Sequence, residues 1–310
     1  MALGTNNVTT TTAAKFIPEI WSDEIVAAYK QNLVAANLFS KMSFKGKKGD
    51  VLHIPKPTRG AASAKAASTQ VTLIAATENE ILLNINKHYE YSRFIEDIVE
   101  TQALSSLRKF YTDDAGYAIA KQVDTDLIQL GRTAGSGTAY STAATTTNAF
   151  LGSNGTTVYN STSSNAAALA DAGIRRSIQR LDDADVPMSD RMLIVPPTTR
   201  NTLMGLARFT EQSFTGEVGS SNTIRNGMVG DVYGVKVYVS TNADNGAGSS
   251  GADRICLLAH KDAFVLAEQM GVRSQTQYKQ EWLATLFTTD MLYGVAELRD
   301  SSAVALAVPA

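Results

Sequence analysis

A proline-free stretch from about residue 96 to residue 130 constrains the fold of this chain more than any other feature. Its apolar residues recur in steps of three and four, which places them on one stripe of a helix. They are Val99, Ala103, Leu107, Phe110, Tyr111, Ala115, Ala118, Ile119, Val123, Leu127 and Leu130. At about 1.5 Å per residue, such a helix is roughly 50 Å long. It also lacks strict heptads, so we expect an extended subunit whose shape serves assembly.

The composition excludes several classes of protein. The chain has 310 residues, of which 44% are hydrophobic and 19% charged, and this is enough to bury a core. A net charge of -2 provides no general attraction for nucleic acid or for a membrane surface. No apolar run approaches the roughly 18 residues of a transmembrane helix. The threonine-rich residues 1–12 lack the build of a signal peptide, and we interpret them as an arm that is disordered or ordered by a partner.

Residues 45–86 predict a long two-stranded excursion. Residues 51–54 form a short strand that Pro55 and Pro57 would end. After a small polar loop, alternation at Val71 and Leu73 and again at Ile81, Leu83 and Ile85 predicts the returning strand. A lone hairpin is marginal in water, so we expect it to lie on a neighbouring subunit. Its basic residues lack interleaved aromatic residues, which favours a subunit contact or a solvated loop over nucleic-acid binding; they are Lys45, Lys47, Lys48, Lys56, Arg59 and Lys65.

The remaining pattern mixes helices and strands and predicts an α+β fold. Helices are predicted at 18–37, at 166–183 with Asn165 as N-cap, and at 198–206. Strands are predicted at 192–195, 235–239, 255–258, 272–278, 291–299 and 303–308. The single cysteine, Cys256, lies in one of these strands among apolar neighbours, which predicts a buried thiol. The small and polar residues of 131–164 indicate a surface loop.

No pattern in the sequence points to a catalytic, cofactor-binding or metal-binding residue. The three histidines, His53, His88 and His260, lack the spacing of zinc ligands. Residues 131–137 resemble a phosphate-binding loop, but they follow a helix and lack the Gly-Lys-Ser/Thr ending. An acidic cluster at a helix end indicates a solvated turn or, alternatively, a site for a cation or a basic partner; it consists of Asp182, Asp183 and Asp185.

Several segments, in their order along the chain, resemble the major capsid proteins of tailed phages with the HK97 fold. They are Ile20-Trp21, Ala35-Ala36-Asn37-Leu38-Phe39, Gly49-Asp50-Val51-Leu52-His53-Ile54-Pro55, Asn86-Lys87-His88-Tyr89-Glu90, Leu181-Asp182-Asp183-Ala184-Asp185-Val186-Pro187, Asp190-Arg191-Met192-Leu193-Ile194-Val195-Pro196 and the stretch from Gly227 to Ser240. Each segment is weakly specific alone, whereas the ordered series covers nearly the whole chain.

The resemblance implies four regions in an α+β subunit. These are an N-terminal arm and helix (1–44), an extended β-hairpin loop (45–86), a peripheral domain with the spine helix (87–130 with 270–310), and an axial domain (131–269). It implies a virion protein that is assembled in the host cytoplasm. Hexamers and pentamers of this chain would form an icosahedral shell around double-stranded phage DNA, contacted non-specifically. The expected partners are other copies of the chain, a separate scaffolding protein, a portal and a decoration protein, with no membrane, cofactor or enzymatic activity.

Two other classes remain open from the sequence. An encapsulin-like compartment shell shares the resemblance and packages a protein cargo instead of nucleic acid. A secreted adhesin or filament protein would fit the threonine-, serine- and alanine-rich stretches, but it should carry an export signal that the sequence does not show.

Overall fold

The structure, a computed structural model, describes residues 34–57, 60–73, 78–96, 106–135, 139–140, 147–206, 230–246 and 253–310. The predicted arm at 1–12 and most of the predicted helix at 18–37 lie outside the described residues. Four α-helices and thirteen β-strands occupy the described part. In chain order they are α1 (Ala35–Leu38), β1 (Ser40–Ser43), β2 (Val51–Pro57), β3 (Glu78–Asn84), β4 (Lys87–Glu96), α2 (Ser106–Gln129), β5 (Phe150–Leu151), α3 (Asp171–Asp183), β6 (Arg191–Val195), α4 (Pro197–Met204), β7 (Asp231–Val232), β8 (Val235–Val239), β9 (Asn245–Gly246), β10 (Asp253–His260), β11 (Phe264–Lys279), β12 (Ala284–Glu297) and β13 (Ala303–Pro309).

The long helix is present, but it is shorter than predicted. Helix α2 has 24 residues, or about 36 Å, and a 3-10 turn (Leu130–Arg132) extends it. The predicted start near residue 96 is wrong, because β4 runs to Glu96 and pairs with β12; residues 97–105 lie outside the described part. The predicted stripe is confirmed in its middle, where Ala115, Ile119, Val123 and Leu127 are buried. Its other members with a described burial are half-buried; they are Phe110, Tyr111, Ala118 and Leu130.

Helix α2 packs against a four-stranded sheet in the order β1-β11-β12-β4. Strand β1 is parallel to β11, and the other pairs are antiparallel. The buried face of α2 meets aromatic side chains, among them Phe39, Phe264 and Tyr293. Phe39 and Phe264 pack edge to face, with ring centroids 5.0 Å apart. This layer also joins the helix to a second, larger sheet, because residues of its strands β6 and β10 belong to the same apolar cluster.

The second sheet has seven strands and is covered on both faces. Its order is β5-β13-β10-β6-β8-β7, with β9 also paired to β10. Helices α3 and α4 pack on one face, and a segment around Tyr140 and Tyr159 packs on the other. This double cover explains why β6, β10 and β13 are almost continuously apolar. Strands β6, β8, β10 and β13 confirm the strands predicted at 192–195, 235–239, 255–258 and 303–308.

The segment 131–164 is not the surface loop that its composition predicted. Tyr140, Ala149 and Tyr159 are buried against β10 and β13, and β5 joins the seven-stranded sheet. Each tyrosine hydroxyl donates to a carboxylate, Tyr140 to Asp244 at 2.9 Å and Tyr159 to Asp253 at 2.7 Å. The small neighbouring residues let the backbone lie close to the sheet, so two aromatic rings suffice to anchor a polar segment.

The helix predicted at 166–183 begins later, at Asp171, and Asn165 is not its N-cap. Ala170 holds the N-cap position without a side-chain bond. The Asn165 side-chain oxygen, Oδ1, instead accepts the backbone N–H of Asn160 at 2.7 Å. The competing local turn explains this error, since asparagine favours both arrangements. Leu169, which the prediction placed on the helix, is buried just before it.

The hairpin of β2 and β3 is present, with two differences from the prediction. Strand β2 continues through Pro55 and Pro57, because an edge strand has no partner on its outer side and tolerates a missing N–H. Ile81, Leu83 and Ile85 alternate as predicted, whereas Val71 and Leu73 lie outside any strand and are exposed.

Two observations bear on the four predicted regions, whose boundaries remain a prediction. Strand β11 crosses the predicted boundary at residues 269 and 270 without interruption. Strand β13 lies in the seven-stranded sheet beside β10, although the prediction placed 270–310 with the spine helix.

Candidate assembly surfaces

Most of the large apolar side chains that are exposed in the described residues lie on two projections. One is the hairpin (residues 45–86). The other is the sheet tip, which we define as residues 91–96 of β4, 272–279 of β11 and 280–289 of the following turn and β12. The exposed residues are Val71, Leu73 and Leu82 on the hairpin, and Phe94, Val272, Tyr278, Trp282 and Leu283 on the sheet tip. Exposed apolar side chains concentrated in this way mark contact surfaces.

The sheet tip extends beyond the strand that covers its edge. Strand β1 pairs with β11 only from Val265 to Glu268, so the described part of the tip has three strands. Residues 272–278 are exposed on both faces. At the turn, Trp282 is 70% exposed and its ring centroid lies 6.2 Å from that of Phe94. The tip therefore presents an aromatic pair to solvent instead of to its own core.

The hairpin is bound to the four-stranded sheet at its root and is exposed beyond it. Leu83 and Ile85 are buried against β11, while Leu82 points outward. Residues 60–73 are exposed throughout. The predicted basic patch is partly neutralised by this protein's own groups, since Lys45 pairs with Glu268 at 3.4 Å. Arg59 lies outside the described residues.

Two contacts fix the direction of the hairpin. The Gln269 side chain donates to the carbonyl oxygens of Lys47 and Gly49 at 3.0 and 2.9 Å. Gly49 has a φ of 135°, which side chains rarely tolerate. A Cβ on Gly294 of β12 would clash with the carbonyl oxygen of Asn84, at the end of the returning strand β3. The hairpin root thus rests directly on the backbone of β12.

An ion-pair cluster crosses the three strands where the sheet tip begins. Arg273 binds both carboxylate oxygens of Asp290, at 3.0 and 2.7 Å, and His88 lies 3.2 Å from the same group. The Arg273 guanidinium lowers the pKa of Asp290. The His88 side chain is 59% exposed at this position.

Buried carboxylates on α2 were not predicted from the sequence. Asp124 and Asp126 lie on the covered side of the helix, 0% and 5% exposed. Asp126 accepts from Tyr293 at 2.7 Å and pairs with Lys87 at 3.0 Å; burial and this carboxylate raise the pKa of Tyr293. The signal in the sequence was the break that these two residues make in the apolar stripe.

Asp124 joins three distant segments. Its Oδ1 accepts the backbone N–H groups of Val34 and Ala35 at 3.0 and 2.7 Å. Its Oδ2 accepts the side-chain amide of Asn242, in the turn after β8, at 2.9 Å. Similarly, the Arg132 side chain donates to both oxygens of Asp244, which raises the pKa of Arg132. The C-terminal end of α2 is therefore tied to the loop at 240–244 by charged groups.

A cleft of about 930 Å³ separates the hairpin from the body, which we define as the described residues outside the hairpin and the sheet tip. It is lined by Ile54, Pro55, Lys56, Pro57, Asn79, Ile81, Gly135, Ala184, Asp185, Leu298, Arg299, Asp300 and Ser301. Glu297 lies beside it at the end of β12. Burial raises the pKa of Glu297 to about 7. The Thr133 hydroxyl donates to this carboxylate at 3.1 Å, which lowers the pKa by less than burial raises it. One carboxylate oxygen of Glu297 is buried without a partner among the described residues.

The predicted acidic cluster has a partner within the chain. Asp182 pairs with the buried guanidinium of Arg191 at 2.7 Å. Across the described ranges, no group of three or more His, Cys, Asp or Glu side chains is placed to bind a metal ion. Cys256 is buried as predicted, and burial raises the pKa of its thiol to about 12. No helix in the part of the chain that the structure describes is long and apolar enough to cross a membrane.

A family model described as phage capsid protein matches residues 93–299, and the chain belongs to this family. It is therefore a structural protein of the phage virion, with a mixed α+β capsid fold.

Solved capsid structures share this fold over nearly their full length. A structure described as Mycobacterium phage Che8 is 22% identical, with a TM-score of 0.75 and 98% of each chain covered. The capsid of cyanophage P-SCSP1u is 18% identical, with a TM-score of 0.73, and the match covers 99% of this chain and 96% of the other. The capsid of cyanophage Pam1 is 13% identical, with a TM-score of 0.73 and 99% of each chain covered. No curated protein matches the sequence significantly. These comparisons give no support to the encapsulin-like alternative.

Proposed function

We propose that this chain is a major capsid protein that assembles as hexamers and pentamers into an icosahedral shell around double-stranded phage DNA. The observation that carries the proposal is the concentration of exposed apolar side chains on the hairpin and the sheet tip. Different surfaces of one subunit that contact each other between copies make heterologous interfaces, and such interfaces form closed rings when the rotation closes. Assembly takes place in the host cytoplasm, and the shell is part of the virion.

The hairpin lies on a neighbouring subunit in this proposal. Leu73 is 88% exposed and Leu82 is 50% exposed within one subunit. Full burial of a leucine side chain contributes about 1.5–3 kcal/mol, and a shell repeats that contribution at every copy. The N-terminal arm (1–12) reaches a neighbour in the same way, with its ordering cost offset by the contact. The four predicted regions stay part of this proposal, with β13 placed beside β10 in the seven-stranded sheet.

The remaining partners follow from the resemblance and from charge. A separate scaffolding protein, a portal and a decoration protein are the expected protein partners. The packaged DNA contacts the shell without sequence specificity. A net charge of -2 suits a wall that must hold DNA without binding it strongly, because counterion release makes basic surfaces adhere to the duplex.

The first experiment is expression of the chain alone, followed by negative-stain electron microscopy and assay of the particles for nucleic acid. We expect closed or aberrant shells, or isolated capsomers. Protein cargo without nucleic acid in particles from infected cells would favour a compartment. A persistent compact monomer, even with a scaffolding protein added, would contradict the proposal.

The second experiment tests the hairpin directly. Deletion of residues 57–70, or the pair Leu73→Ser and Leu82→Ser, should leave a folded subunit that assembles poorly. The matched control is Val158→Ser, because Val158 is an exposed apolar residue away from both projections. Shell yield, measured by sedimentation, should fall for the hairpin variants and not for the control. Normal shells from the deletion would refute the role of the hairpin.

A further inference from the structure

Asp124 is a buried carboxylate whose contacts are hydrogen bonds to neutral groups. It is 0% exposed on α2, and within the described ranges it has no lysine or arginine partner. Burying a charge is costly unless it is well hydrogen-bonded, and a position on the apolar side of a helix would be filled more favourably by an aliphatic residue. The retained carboxylate therefore calls for a role in the contacts that it makes.

The principal contacts of Asp124 are with the first residues that the structure describes. Helix α1 has only four residues, and Val34 at its N-cap provides no side-chain bond. Its first N–H groups would lack partners without Asp124, which is 89 and 90 residues away in sequence. The path of the chain at Val34 is thus set by α2 and not by the local sequence.

The next residues hold the same path in place. Phe39 is buried against Phe264, and β1 is in register with β11 from Ser40 onward. Asp124 supplies the contact at the other end of this short segment, at Val34 and Ala35. Hydrogen bonds to a charged acceptor are about twice as strong as those between neutral groups. The carboxylate is therefore suited to hold Val34 and Ala35 in place.

The same carboxylate also reaches the seven-stranded sheet. Its second oxygen accepts the amide of Asn242. The backbone N–H of Asn242 donates to Ser240, and the Ser240 N–H donates to the last residue of β6, Val195. Hydrogen bonds therefore connect Val34, through Asp124 and the turn at 240–242, to the end of β6.

We propose that Asp124 is a positioning residue for assembly, which fixes the course of the chain at Val34 and Ala35 and couples it to α2 and the loop after β8. The inference rests on the proposed function, in which the arm contacts a neighbouring copy. Asp124 would affect the contact between copies indirectly, because it is itself 0% exposed.

The experiment uses the full chain and compares Asp124→Ala with Asp126→Ala. Both variants remove a buried carboxylate from α2, but only Asp124 contacts residues 34 and 35. Hydrogen exchange followed by mass spectrometry measures protection of residues 34–38 in unassembled subunits. Removal of two charge-assisted bonds should raise exchange there by roughly tenfold or more in Asp124→Ala, with little change in Asp126→Ala. Shell yield should fall further in Asp124→Ala than in the control at equal folded fraction.

A second variant keeps the inference testable if Asp124→Ala does not fold. Asp124→Asn retains one acceptor oxygen but loses the charge, so exchange at 34–38 should rise several-fold and assembly should be intermediate. Wild-type protection of residues 34–38 in Asp124→Asn would overturn the inference, and so would equal effects of Asp124→Ala and Asp126→Ala on that protection. Failure of the wild-type chain to form shells would contradict the proposed function instead, while the exchange result would still report on the anchor.

Discussion

Strand β11 belongs to two very different regions of this molecule. From Phe264 to Ala267 every residue is buried. Phe264 and Leu266 pack in the α2 layer, and Val265 and Ala267 pack with the hairpin root. From residue 272 to residue 278 every residue is exposed. The hydrogen-bonded ladder with β12 continues through both halves, interrupted only by irregularities near Met270. One continuous strand thus links a complete core to a projection that has little core of its own.

The comparison separates the source of stability from the source of assembly. Five consecutive residues of β6 are buried in the seven-stranded sheet, which has cover on both faces. The sheet tip instead exposes Phe94 and Trp282. We infer that the body folds without partners, whereas the exposed residues of the sheet tip and of the outer hairpin would gain burial only in the contacts between copies that the proposed function requires.

The largest effect should come from a cavity in the body. Leu258, in the middle of β10, is 1% exposed, and Leu258→Ala should lower the free energy of unfolding by about 2–5 kcal/mol. Leu283→Ala removes the same atoms from the exposed sheet tip and should change stability by less than about 0.5 kcal/mol. Urea unfolding of assembly-blocked subunits measures both values. Equal losses would mean that the tip belongs to the core of the isolated subunit.

A smaller effect is expected where the hairpin meets the body. In Gly294→Ala the new Cβ would lie 2.4 Å from the Asn84 carbonyl oxygen, so the backbone must move. Overpacking of this kind costs about 1–3 kcal/mol. Hydrogen exchange should rise in β3 and not in β10. Gly116→Ala is the control, because a Cβ there meets no atom within 4 Å; faster exchange in both strands would argue against a local contact.

The body was predictable because its strands carry strong local signals. Apolar runs at 192–195 and 255–258 identified buried strands. The predicted strand at 235–239 follows a tight turn in which Tyr233 and Gly234 both adopt positive φ. The segment 131–164 was misjudged because two tyrosines and two distant carboxylates anchor it, and composition does not encode such pairs. The role of Asp124 was missed for the same reason, since its partners lie about 90 and 118 residues away.

The next prediction concerns the charge of Glu297, beside the cleft between the hairpin and the body. Because the pKa of Glu297 is raised to about 7, the folded protein keeps a proton that the unfolded chain loses near pH 4.5. Stability should therefore fall as pH rises from about 4.5 to 7 and then level off. Glu297→Gln resembles the neutral form, so it should be more stable than wild type above about pH 7, on the order of 1–2 kcal/mol. Urea unfolding at about pH 5 and pH 8 gives the comparison.

A parallel decline in the stability of wild type and Glu297→Gln over that range would contradict the assignment to Glu297. The nearby charges are Asp300, which raises the pKa of Glu297, and Lys56 on β2, which lowers it. Lys56→Met should therefore raise the Glu297 pKa further and shift the decline toward higher pH. That variant also measures the electrostatic interaction between the hairpin and the body across the cleft, since Lys56 lies on the hairpin and Glu297 on β12.

The smallest effect on the isolated subunit should accompany one of the larger effects on the shell. Trp282 contacts Phe94 but is mostly exposed, so Trp282→Ala should alter the free energy of unfolding by only about 0.5 kcal/mol. If the sheet tip is a contact between copies, the same change removes a buried aromatic side chain from every such contact and should sharply reduce shell yield by sedimentation. Tyr233→Ala serves as the control, because Tyr233 is an exposed aromatic residue on the seven-stranded sheet. Wild-type assembly of Trp282→Ala would remove the sheet tip from the assembly surface and leave the hairpin as the projection that carries the argument.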